Sequence, residues 1–225
     1  TDNLFRLIKT LSKSEKRSFK LYVNRVGGRE TAIFIQLFDV LDKQKKYDEE
    51  EIFKKIPGIK RSQLSNQKRH LYKQLLISLR LIHISKNIDI EIREQIDFAR
   101  ILYGKGLFIQ SLKILDRIKI IAKEAHQDLL HLQIIEFEKL IESRHITRSI
   151  ENRSDVLTEE SSKRGEVIRN TGRLSNLALK LYGYYVKIGH IKTEKGAYVV
   201  QELFKSNFAG IRVDGLTFYE KIYLY

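Results

Sequence analysis

The chain contains no cysteine, which excludes disulfides, thiolate metal sites and a cysteine nucleophile. It also lacks tryptophan and carries one proline, Pro57, in 225 residues, so little in it removes a backbone N–H from a helix. No apolar run approaches the roughly 18 residues of a membrane span; the best stretch, residues 71–84, is broken by Lys73, Gln74 and Arg80. The first residues are amphipathic, not a charged head before an unbroken apolar block. No secretory signal is read there, and a cytoplasmic location is expected. Methionine is missing too, position 1 included, and Phe218, Tyr219, Ile222 and Tyr223 read as a helix face that reaches Tyr225 without a capping signal. Both features lead to the expectation that the sequence is part of a longer protein.

What is present is helical spacing, in a composition (42% hydrophobic, 31% charged) that fits a folded chain and not a disordered one. Leu4, Leu7, Ile8 and Leu11 share one helical face. Ser12 and Glu15 have the spacing of a capping box, opening a helix with the face Phe19, Tyr22, Val23 and Val26 that Gly27 and Gly28 stop. Ile33, Leu37, Val40 and Leu41 form the next stripe. Asp48 reads as the cap of a short helix whose first turn holds Glu49, Glu50 and Glu51, where the helix dipole favours anions. Pro57 and Gly58 end it, and a longer helix is predicted over 62–84. Beyond Asn87 and Asp89 the spacing predicts helices near 90–104, 109–125, 128–146, 152–169, 174–188, 195–206 and from 216 onward. One of them has two apolar faces, with Leu130, Ile134, Phe137 and Ile141 opposite Leu132, Ile135 and Leu140. A two-sided helix needs neighbours on both sides, as in a stacked array. The expected fold class is all-α, with antiparallel helical hairpins stacked as a solenoid over 87–225, preceded by a small basic helical module over 1–86.

Within the array, the run from Phe98 to Leu112 resembles a tetratricopeptide repeat. Ala99, Tyr103, Gly106 and Ser111 take the small, aromatic, glycine and small positions, and Phe108 is the aromatic of the turn. A poorer match between Leu177 and Phe204 uses Gly183, Tyr185 and Gly189. At about 34 residues per repeat, residues 87–225 would hold three helix pairs and the start of another. The resemblance implies an adaptor or scaffold that binds a protein or peptide on a concave surface lined by the first helix of each pair. It places the groove-facing positions at Arg93, Arg100 and Tyr103 from Gly106, and at Asn176, Lys180 and Lys187 from Gly189. Those side chains would grip an acidic or carboxylate-ended segment; the alternative is a set of ordinary exposed charges.

Charge divides the chain unevenly. Residues 1–88 hold 20 Lys and Arg against 9 Asp and Glu, while residues 89–225 hold 22 against 19. A basic module attracts polyanions, with an affinity that falls with salt. The short acid-capped helix, the turn at Pro57 and the long helix after it resemble a helix-turn-helix. The second helix would offer Arg61, Gln63, Asn66, Gln67 and His70 near its start, residue types able to read base edges. Arg69, Lys73 and Arg80 form a stripe suited to phosphates. The alternative function is therefore a DNA-binding transcriptional regulator with a repeat sensor region. The same stripe also reads as a solvated face on a helix that caps the array, or as a membrane-surface contact.

Catalytic motifs are lacking: there is no HExxH, GxSxG, P-loop or dinucleotide fingerprint, so no enzyme activity and no cofactor are expected. Glu142 and His145 have the spacing of a carboxylate-bridged metal motif but occur once, and read as a surface pair. His126 and His131 lie off a shared helical face and form no metal site. Tyr182, Tyr184, Tyr185 and Tyr198 read as core residues of a repeat, with a stacking surface as the other reading.

Overall fold

In the computed structural model of the chain, the described residues are 2–27, 31–145, 152–190, 193–211 and 213–224. Among them there are eleven α-helices and no strand. The chain divides into two compact units, Thr1–Ile90 and Glu91–Tyr225.

The first unit contains α1 (Asn3–Thr10), α2 (Lys13–Val26), α3 (Thr31–Lys43), α4 (Glu49–Lys55) and α5 (Arg61–His83). Local chemistry sets where they start, because the first N–H groups of a helix have no internal partner. The Asp2 carboxylate accepts from Phe5 N at 3.0 Å. Ser12 Oγ accepts from Glu15 N at 3.2 Å while Glu15 Oε2 accepts from Ser12 N at 2.8 Å, which completes the capping box. Asp48 Oδ1 accepts from Glu50 N and Glu51 N. Buried Gln44 holds the connection before it, donating to Asp48 O at 2.7 Å and accepting from Asp48 N at 3.3 Å. Ile8, Leu37, Phe38, Leu41, Ile52 and Leu71 are fully buried in one core, with the Phe19 and Phe38 rings 4.9 Å apart. Ile56 and Ile59, on either side of Pro57 and Gly58, are buried in the same core, so the turn between α4 and α5 is pinned by side chains. Val26 lies outside this core and is exposed.

The second unit begins in α6 (Ile88–Gly104) and continues through α7 (Phe108–Glu124) and α8 (Asp128–Arg144), each of 17 residues and joined by three. The two joints share one geometry. At the first, Leu107 N donates to Leu102 O and Gly106 N to Tyr103 O; at the second, Gln127 N donates to Ala122 O and His126 N to Lys123 O. This is the Schellman arrangement, which needs a left-handed residue after the helix. Gly106 supplies it at φ 78°, and His126 adopts it at φ 54°. Ser111 crosses α6 closely enough to donate to Ala99 O at 2.8 Å, and both residues are fully buried, because small side chains let the two helix backbones approach. Ile92, Ile96, Leu112, Leu115, Ile118 and Ile134 complete the seam. The two-helix period, from the start of α6 to the start of α8, is 40 residues, longer than the 34 of the tetratricopeptide pattern.

Next comes α9 (Arg153–Ile188), a single helix of 36 residues where the sequence pattern predicts two, over 152–169 and 174–188. Gly172 lies in the gap between those two ranges. A glycine inside a helix costs about 1 kcal/mol relative to alanine, and burial on both sides of it, at Leu157 and at Leu174 and Leu177, outweighs that. A Cβ at Gly172 would meet nothing within 4 Å, so no close approach demands glycine there. Gly183 and Tyr185, which the resemblance puts in the first helix of a pair, lie inside this same helix, and Gly189 ends it. On the C-terminal half of α9 sit α10 (Glu194–Phe208) and α11 (Phe218–Leu224), joined through Leu174, Ile211 and Leu216.

Candidate functional site

The buried chemistry of the second unit lies between α7, α8 and α9. The side chains of α8 at 131, 135, 138 and 142 fall on one stripe, and Arg153 and Arg164 show that α9 runs antiparallel along it. Arg153 reaches Glu138 at 3.5 Å and Glu142 at 3.7 Å, and Arg164 pairs with Asp128 eleven residues later. Glu138 is fully buried. Lys119 of α7 donates to it at 2.8 Å and to Glu160 at 3.0 Å, and Arg153 also lies 3.3 Å from Asp116. Among the described residues, Lys119 and Arg153 thus meet four carboxylates between them. Burial pushes the Glu138 carboxyl up to about 7 against the pull of Lys119 and Arg153. For Lys119, burial draws its pKa down, but Glu138 and Glu160 outweigh it and the net movement is upward. His131, two turns before Glu138 on α8, is buried with no hydrogen-bond partner for Nδ1 among the described residues. Burial, with Arg164 nearby, pushes it down to about 4, so it is neutral in the folded chain near neutral pH.

Chemically this is an ionic seam that fixes how α9 lies on α8. A cavity of about 390 Å³ opens beside it, lined by Lys139, Glu142, Asn152, Arg153 and Thr158 among others. No group of three or more metal-ligating His, Cys, Asp or Glu side chains forms among the described residues. The spacing that reads as a Glu142–His145 surface pair resolves differently: Glu142 is half-buried beside Arg153, and the His145 ring stacks on Phe108 at 3.6 Å. The sequence signal for Glu138 and His131 was the two-sidedness of α8, since a helix covered on both faces must bury the polar residues of the second face as well.

The residues expected to line a peptide groove fall in two separate places. Arg93 is exposed on α6. Arg100 lies over the Phe137 ring at 5.4 Å, and Tyr103 is half-buried against Phe108, Phe137 and His145. Tyr103 is therefore a packing residue, at the C-terminal end of α8 that also receives Arg153. Asn176, Lys180 and Lys187 are exposed on α9, the nearest of them 23 residues beyond Arg153, or about 35 Å along the helix at 1.5 Å per residue. The continuous α9 keeps the two trios apart.

Around the second trio, a different feature appears. Leu179, Tyr182 and Val186 are 70%, 66% and 65% exposed, and their spacing of three and four puts them on one stripe. Tyr185 of α9 and Tyr198 of α10 are exposed as well and Tyr184 is half-buried, so the expectation that the four tyrosines are core residues fails for three of them. Residues 167–193 contain no Asp or Glu, and Arg169, Arg173, Lys180, Lys187 and Lys192 fall among them. Where α9 runs past the start of α8, a cavity of about 460 Å³ lies between Leu129, Ile168, Thr171, Tyr219 and Tyr223.

In the first unit, α5 sorts its polar residues by face. Leu64, Leu71, Leu75 and Ser78 are buried, and Asn66, Arg69, Lys73 and Arg80 are exposed on the opposite side. Three expected base readers are otherwise engaged. The Arg61 guanidinium is held by both Glu50 oxygens, at 2.6 and 2.8 Å, and lies over Phe53; Gln63 Oε1 accepts from Lys60 N at 3.4 Å; Gln67 is half-buried. His70 is exposed. Comparison of the chain with family models, with curated proteins and with solved structures finds no match. No helix among the described residues is long and apolar enough to cross a membrane.

Proposed function

We propose that this protein is a non-catalytic helical-array adaptor, and that it holds an acidic amphipathic helix of a partner protein along the outer face of α9. The observation that supports the reading is the exposed line Leu179, Tyr182 and Val186 inside a 27-residue stretch without a carboxylate. Helix-in-groove recognition uses apolar anchors at this spacing, and contiguous apolar surface on a folded chain marks interaction sites. Lys180 and Lys187 flank the line and supply charge-assisted hydrogen bonds to Asp or Glu on the partner. The site thus keeps the expected lysines, with Asn176 at its edge, and leaves Arg93, Arg100 and Tyr103 outside it. A concave tetratricopeptide-like groove is not required for this mode of binding; one exposed helix face suffices.

The test is fluorescence anisotropy with a labelled peptide carrying Leu at i, i+3 and i+7 and Glu at its solvent positions. Scrambled and Lys-substituted peptides of equal length serve as comparisons. Preferential binding of the acidic amphipathic peptide, lost in Leu179→Glu and Tyr182→Glu and weakened by salt, is the expected result. Equal binding of all three peptides, or binding indifferent to both substitutions, removes the reading.

A further inference from the structure

We propose that the unit Thr1–Ile90 binds duplex DNA by setting the outward face of α5 into the major groove. The inference starts from an imbalance in sequence: residues 52–88 contain nine Lys and Arg and no Asp or Glu. The structure then shows where the acids of the unit are spent. Asp42 pairs with Lys16, Asp39 with Lys20, Glu51 with Lys55 and Glu50 with Arg61, while Asp2 and Glu49 gather around Lys68 and Glu15 meets His83 at 3.2 Å. Arg69, Lys73 and Arg80 have no ion pair among the described residues.

Core packing fixes which way these cations point. With Leu64, Leu71 and Leu75 held in the core, the stripe at 66, 69, 73 and 80 must face away from it. It runs about 21 Å along the helix axis, long enough to meet the backbones on both sides of a groove about 12 Å wide. Near its start Arg69 donates to Asn66 Oδ1 at 2.9 Å, which preorganises a guanidinium and an amide side by side. Those are the side-chain types that pair with guanine and adenine edges. The turn before α5 is pinned by Ile56 and Ile59, as a helix presented to a groove requires.

The same geometry disfavours the other polyanions. Binding single strands relies on exposed aromatic rings for base stacking, and the aromatic of α5, Tyr72, is half-buried against the core. Duplex RNA has a major groove too deep and narrow for side chains to read. A membrane surface needs the apolar face of the helix, and the line Leu64, Leu71 and Leu75 is already buried in the core, which leaves Leu76 and Leu81 as the exposed leucines of α5.

The experiment is an anisotropy titration of the full chain against a labelled 30-base-pair DNA duplex across a salt series. The matching RNA duplex, the single strand, anionic phosphatidylglycerol vesicles and polyglutamate are run in parallel. With Arg69 turned to the bases, the two phosphate contacts of Lys73 and Arg80 give a slope of log affinity on log salt near −1.8, hence a loss of about 12-fold between 50 and 200 mM salt. Lys73→Ala and Arg80→Ala each reduce that slope by about one, whereas Arg169→Ala, at an exposed arginine of α9, leaves it unchanged. All three sites are exposed, and circular dichroism checks that the variants keep their helix content. No retention on the DNA duplex at 50 mM salt overturns the proposal. So does equal or tighter binding of RNA, vesicles or polyglutamate, or a slope that Lys73→Ala and Arg80→Ala do not move.

Discussion

Glu138 and His131 give opposite pH dependences that the wild-type chain conceals. The Glu138 carboxyl is raised from 4.5 to about 7 by burial. Between those values the folded chain keeps a proton that the unfolded chain has released, so stability falls as pH rises through the window and stays low above it. His131 is lowered from 6.5 to about 4. Between pH 4 and 6.5 the unfolded chain binds a proton that the folded chain refuses, so this group makes stability rise with pH. Each displacement corresponds to about 3 kcal/mol, and over pH 4.5–6.5 the two slopes cancel. Glu138→Gln keeps the shape and removes the first titration; relative to wild type, its stability climbs by about 3 kcal/mol from pH 4.5 to 6.5. His131→Leu removes the second and falls by a similar amount. Urea unfolding followed by far-ultraviolet circular dichroism at half-unit pH steps measures both, and amide exchange in α8 confirms that the change belongs to the second unit. The assignment would be falsified by variant profiles parallel to the wild-type profile across this window.

Further predictions follow from the local geometry. Ser111→Ala loses the bond to Ala99 O and costs about 1 kcal/mol, whereas Ser111→Leu overpacks the crossing of α6 and α7 and costs about 1–3 kcal/mol; thermal unfolding ranks the two, and equal effects would mean the helices are not in close contact there. Asp48→Ala removes the cap of α4 and costs about 1 kcal/mol, read as faster amide exchange at Glu50 and Glu51. Leu179→Glu removes peptide binding without lowering stability, because its side chain is exposed, and a matched unfolding curve checks the second half of that statement.

Where a local side-chain rule applies, sequence and structure agree. Ser12 with Glu15, Asp48 before three glutamates, and Gly106 after Tyr103 each fix a helix end through hydrogen bonds within a few residues, and spacing alone reveals them. The predicted break near Gly172 fails because glycine carries only a local cost of about 1 kcal/mol, while the burial that overrides it comes from α8, α10 and α11. Glu138 was equally hidden. Its neighbours Lys119 of α7 and Arg153 and Glu160 of α9 lie on two other helices and converge only once α9 docks. The stripe on α5 was legible in part: spacing placed Arg69, Lys73 and Arg80 together. That Arg61 is tied to Glu50 and Phe53 depends on the turn between α4 and α5, which sequence does not specify.

The length of α9 makes it a tie beam. Arg153 and Arg164 fasten one end of it to α8 at two points about 16 Å apart, while α10 and α11 lie against the other end around Leu174. Two fastenings spaced by three turns resist swivelling where one would not. Because the beam is continuous, a turn imposed at the fastened end is passed to the helices carried at the other.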